Sequence, residues 1–104
     1  MKFKTILINL DGILNEYDGK FTRHYIPPMK QGAERFLKIV SRDFNIVIFT
    51  QRNQVFTFSW LQSNRIESYI EAITNEEIFC CLHIDSRYFD LNYDDILKEL
   101  EKFK

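Results

Sequence analysis

The sequence predicts an α/β fold with a mainly parallel central sheet, and three observations carry that prediction. Short apolar runs alternate with stretches of helical periodicity along the chain. The runs around Ile6 and Val47 are continuously apolar, as strands covered on both faces are. Each run then stops on polar residues, which a parallel sheet gathers along the carboxyl rim of its strands. At 104 residues the chain accommodates one domain, residues 1–104, and no second cap domain.

Taken in order, Phe3 to Ile8 reads as a buried strand bounded by the turn chemistry of Asp11-Gly12. Ile13 to Tyr17 and Lys20 to Tyr25 flank Asp18-Gly19, a short hairpin signal, and predict a small flap beside the first strand. Pro27-Pro28 predicts the start of a helix ending near Arg42, with Ala33, Phe36, Leu37 and Val40 on its buried face. Asn45 to Thr50 is a second apolar strand. Gln54 to Ser63 is a helix rich in aromatics, with Val55, Phe58, Leu61 and Trp60 expected inward. A short strand is expected near Ala72-Ile73, a further main strand over Cys80 to Ile84, and a last helix capped by Asp94 that carries Ile96, Leu97, Leu100 and Phe103. These elements compose a Rossmann-like three-layer sandwich with helices on both faces of the sheet and a hairpin flap after the first strand.

Composition narrows the function. Hydrophobic residues make up 45% of the chain, with ten Phe and five Tyr, enough for a real core. A formal net charge of −1 without a basic cluster offers no footprint for nucleic acid or for an anionic membrane, whereas small anionic ligands remain open. Cys80 and Cys81 are adjacent; on a strand they would face opposite sides, so they read as free thiols of a reducing compartment. No apolar run reaches membrane-spanning length, and a soluble cytoplasmic protein is expected.

The strand ends supply the chemistry. Asn9 and Asp11, two residues apart on extended backbone, point into one cleft. Thr50, Gln51 and Arg52 follow the second apolar strand, and Asp85 and Ser86 follow the last. Any one of these is more often a turn, a cap or a solvated acid; their joint occurrence on one rim is the signal. His24 and His83 read as a solvated and a packed histidine. Tyr17, Phe21, Tyr25 and the aromatics around Trp60 exceed what one buried stripe can use, which leaves a surface for an oligomer or protein partner.

These residues resemble the haloacid dehalogenase-like (HAD) superfamily of magnesium-dependent phosphatases, in its small, nearly capless branch. Asn9-Leu10-Asp11-Gly12 resembles the family's Asp-x-Asp-Gly except at the leading position, and Phe49-Thr50-Gln51-Arg52 resembles its second motif. Tyr25-Ile26-Pro27-Pro28, Thr74-Asn75-Glu76 and Ile84-Asp85-Ser86-Arg87 are similar to that branch as well. The resemblance implies that Asp11 is the general acid/base, that Thr50, Gln51 and Arg52 bind phosphate, and that Asn9, the backbone carbonyl of Asp11 and Asp85 surround Mg²⁺.

The departures from the family pattern bear on activity. Asn9 occupies the position of the nucleophilic Asp, and a neutral amide is a poor nucleophile. Glu77 falls on or near the family's Lys, and Ser86 replaces one carboxylate of the closing acidic pair, for which Asp90 is a substitute at some distance along the chain. Three functions follow: a phosphatase-like domain with lost or reduced turnover that keeps a phosphate or cation pocket; an active magnesium-dependent phosphomonoester hydrolase in which Asp11 or Glu77 activates water; and a non-catalytic interaction module. The first is favoured, since general acid/base help of about 10²–10⁴-fold does not replace a missing nucleophile.

Overall fold

Four strands form one sheet in the computed structural model, which describes residues 3–86 and 92–104. They are β1 (Lys4–Asn9), β2 (Phe44–Phe49), β3 (Ala72–Thr74) and β4 (Leu82–Ile84), in the order β3-β2-β1-β4 with every pairing parallel. Three helices accompany them: α1 (Ala33–Val40), α2 (Gln54–Ser63) and α3 (Tyr93–Leu100). The chain therefore has the expected α/β, Rossmann-like architecture. From β1 the chain steps outward through β2 to β3, then returns to the far side of β1 as β4, which makes the β1/β4 boundary the topological switch point.

Period-2 alternation sorts the strand residues onto two faces. Ile6, Ile8, Ile46, Ile48 and Ile84 lie on one face and join Ala33, Phe36, Leu37, Val40, Leu61, Ile96 and Leu100 in a single buried apolar cluster. Apolar residues of all three helices thus meet the same side of the sheet. Leu7 and Val47, which point the other way, are buried outside that cluster. Where a helical layer is expected over this second face, the β3–β4 connection, residues 75–81, contains no helix; seven residues suffice only to cross the sheet. On this face Glu77 of the connection meets His83 of β4.

The four buried positions expected for α1 are its buried positions, but the helix begins five residues after Pro28. Gly32 sits at φ +88°, a left-handed conformation that ends the helix on its N-terminal side. The preceding segment is engaged in other bonds: Glu16 N donates to Pro28 O and Lys30 N to Leu14 O, around an isolated antiparallel bridge between Asn15 and Met29. The same pairing corrects the flap. Asp18-Gly19 does form a turn, in which Asp18 Oδ1 accepts from Lys20 N at 2.9 Å, yet its flanks build no hairpin ladder. Residues 20–25 are exposed, and two of their carbonyls are directed to Arg52 instead.

Two helix expectations also shift. In α2 the buried residues are Thr57 and Leu61, with Trp60 packed against the cluster, while Val55 and Phe58 are exposed. Apolar side chains surround this helix, so hydrophobic spacing selects no single face. The N-cap of α3 is Asn92, whose side chain accepts from Asp95 N; Asp94 lies in the first turn, where its charge favours the helix N-terminus. No helix of the described residues is long and apolar enough to cross a membrane.

Candidate functional site

The carboxyl ends of β1 and β2 border a cleft of about 170 Å³ lined by Asn9, Asp11, Phe21, Thr50, Gln51 and Arg52 together with Phe49. The sequence-predicted phosphate and acid/base residues therefore come together. Asp85 and Ser86 lie at the end of β4, beside β1; Asp85 is buried, and Ser86 Oγ approaches Gly12 so closely that a Cβ there would come within 3.0 Å. At φ +87°, Gly12 also needs the freedom of glycine, which lets the chain turn off β1. Asp90 lies outside the described residues.

Two polar clusters flank the end of β1. In the first, Arg52 Nε donates to both Asp11 oxygens at 3.2 and 3.1 Å, and Arg52 Nη1 donates to the carbonyls of Thr22 and Tyr25 at 3.0 and 2.9 Å. The Arg52 side chain is only 2% exposed, and its guanidinium carbon stands 4.6 Å from the centre of the Phe21 ring, a cation–π contact. Thr50 Oγ1 accepts from Arg52 N at 3.1 Å, turning the chain so that the guanidinium lies over the cleft. Arg52 Nη2 is buried and finds no hydrogen-bond partner among the described residues.

Asn15 completes this cluster. Its Nδ2 donates to Asp11 Oδ1 at 3.0 Å, and its Oδ1 accepts from Gly12 N at 3.1 Å, which locks the turn that carries Asp11. Lys30 Nζ donates to Gly12 O at 2.8 Å. Sequence reasoning missed Asn15, Lys30 and Phe21 as members of the site. The signal for Asn15 was its spacing, four residues beyond Asp11; Lys30 and Phe21 are brought in only by the path of the intervening excursion.

The second cluster lies across the switch point. His83 Nε2 is 2.6 Å from Asn9 Oδ1, and His83 Nδ1 is 3.1 Å from Glu77 Oε1. Both ring nitrogens face oxygen acceptors, an arrangement that an imidazolium satisfies twice and a neutral ring once. Phe49 packs edge-on against the same ring, with centroids 5.2 Å apart. His83, expected as a packed histidine, thus contacts the residue on which the chemistry turns. Glu77 reaches the imidazole rather than the cleft. Gln51 Nε2 donates to Asn75 O at 2.9 Å, fastening the end of β2 to the start of the β3–β4 connection.

The two side chains at the end of β1 are already engaged. The Asn9 oxygen is held by His83, and both Asp11 oxygens are held by Arg52. A divalent cation in this cleft would stand near the Arg52 guanidinium, whose charge opposes it. Among the described residues no group of three or more His, Cys, Asp or Glu side chains is placed to hold a metal ion. Thr50 and Arg52 both line the cleft, while Arg52 Nη2 itself is buried away from it.

No protein-family model matches the chain, and no curated protein matches it.

Proposed function

We propose that this chain is a haloacid dehalogenase-like domain that binds a small phosphorylated or other anionic molecule at the strand ends without turning it over. The observation that carries the reading is the state of the two residues at the end of β1. Asn9 offers an uncharged amide already bonded to His83, and Asp11, the remaining acid/base candidate, is neutralised by Arg52. The covalent route lacks its nucleophile. A water attacking directly would need Asp11 as a free base, and that carboxylate has both oxygens occupied.

Anion binding is supported by Arg52. Its buried Nη2 is a charged donor left without a partner among the described residues, a costly arrangement that a phosphoryl or carboxylate oxygen would relieve once the cleft opens toward it. Thr50, almost fully buried beside it, adds a hydroxyl that orients the same ligand.

An assay with an aryl phosphate and Mg²⁺ should give no phenol release and no phosphorylated protein, while titration with inorganic phosphate should raise the thermal midpoint. Thr50→Val should weaken that phosphate effect several-fold. Turnover that disappears in Asp11→Ala, or a phosphate titration without effect on the midpoint, would refute the proposal.

A further inference from the structure

The amino ends of β1 and β4 carry a second candidate site, unrelated to the cleft at the opposite ends of the strands. Cys80 and Cys81 are both free thiols, and both border one surface hollow of about 400 Å³ with Phe3, Lys4, Thr5 and Phe79. Strand alternation would have set the two sulfurs on opposite faces. β4 begins only at Leu82, however, so strand alternation does not govern the pair, and both residues line the same hollow. Cys81 N donates to Thr5 O at 3.0 Å and anchors the pair to β1. Phe79 is fully exposed and Phe3 is 42% exposed, which leaves two aromatic rings in water at the rim of the hollow.

Which ligand this arrangement takes is decided by ligand number and geometry. Zinc requires three or four protein ligands, and no such group exists among the described residues. A disulfide between neighbours demands an S–S bond of about 2 Å with a dihedral near a right angle, which adjacent residues reach only under strain. A trivalent centre inserted between the sulfurs removes that demand and needs only two thiols. Burial first, and then the neighbouring Cys80, raise the pKa of the Cys81 thiol.

We propose that Cys80 and Cys81 form a vicinal dithiol site for trivalent arsenic carrying an aryl or similarly apolar third substituent, which rests against Phe79 and Phe3. The reaction is a condensation. The arsenic–oxygen bonds of R–As=O break and two arsenic–sulfur bonds form. Both thiol protons leave with the oxygen as one water, and no atom changes oxidation state. Chelation gives the product its persistence, because the second sulfur binds at high effective concentration once the first is attached.

The test uses the reduced full chain and phenylarsine oxide, read by intact mass spectrometry. One adduct per chain is expected, at the mass of the reagent less one water, stable to excess glutathione and removed by a small 1,2-dithiol. Cys80→Ser and Cys81→Ser, each checked for folding by circular dichroism, should lose at least ten-fold in glutathione-resistant adduct. Phe79→Ser should reduce retention of the aryl reagent several-fold and leave that of inorganic arsenite unchanged. The assignment is overturned if no adduct survives glutathione, if either serine variant retains it as the unmodified chain does, or if Phe79→Ser leaves aryl retention unaltered.

Discussion

The two polar clusters beside the end of β1 differ in kind. Arg52 is buried, and its contacts join β1, β2 and the excursion between β1 and α1 through Asp11, Thr22, Tyr25 and Phe21. His83 joins β1 to the β3–β4 connection through Asn9 and Glu77, and the Glu77 carboxylate is 64% exposed. Removing one partner of a buried charge pair strands the other, so the fold depends on the Arg52 cluster; the Glu77–His83 pair, with its carboxylate in water, contributes little. The residues most suggestive of chemistry, Asp11 and Arg52, are thus those most needed to hold the excursion in place.

Arg52 should give the strongest response to substitution. Arg52→Met leaves Asp11 without its counter-charge and two carbonyls without their donor, and should cost about 3–5 kcal/mol in chemical denaturation. Asp11→Asn should cost less, because an amide oxygen still accepts from the guanidinium. Equal, small losses in both variants would erase the contrast between the clusters.

A smaller effect is expected at Tyr93, which supports the same side of the molecule. Its hydroxyl donates to Ile13 O just beyond Gly12, and its ring stacks on Phe36 at 4.6 Å. Tyr93→Phe should cost about 1 kcal/mol at neutral pH. Burial, and secondarily the charge of Glu16, push the Tyr93 phenol up to about 12 from its ordinary 10.0. The fold therefore retains a proton that the unfolded chain has released, and the resulting stability is present below pH 10 and lost as pH rises toward 12. Denaturation midpoints over that interval should fall more steeply for the unmodified chain than for Tyr93→Phe.

The weakest response belongs to the second cluster. Glu77→Gln should change stability by about 0.2–1 kcal/mol, and added salt should diminish the difference. A loss comparable to that of Arg52→Met would mean that the fold depends on the His83 chain no less than on the Arg52 one.

Much of this was legible in the sequence because hydrophobic patterning governs the buried half of the molecule. Ile6, Ile8, Ile46 and Ile48 announce their strands, and Ala33, Phe36, Leu37 and Val40 announce the buried face of α1. The rim follows from where those strands stop, so Asn9, Asp11, Thr50, Gln51 and Arg52 are expected as neighbours and do share a cleft. What escaped is set by tertiary direction. Nothing local specifies that Arg52 turns back onto Asp11, that the carbonyls of Thr22 and Tyr25 accept its protons in preference to a hairpin ladder, or that His83 of β4 reaches Asn9 of β1. In α2 the pattern itself was ambiguous, since Val55, Phe56, Phe58 and Trp60 offer apolar surface in every direction.

Both margins of the sheet are three residues long, β3 on one side and β4 on the other. A strand docking there would find only a few unpaired backbone groups, too short a template for registration. Extension of one molecule by the next through backbone pairing is thereby discouraged, and the parallel sheet of the described residues stays finite without any barrel closure.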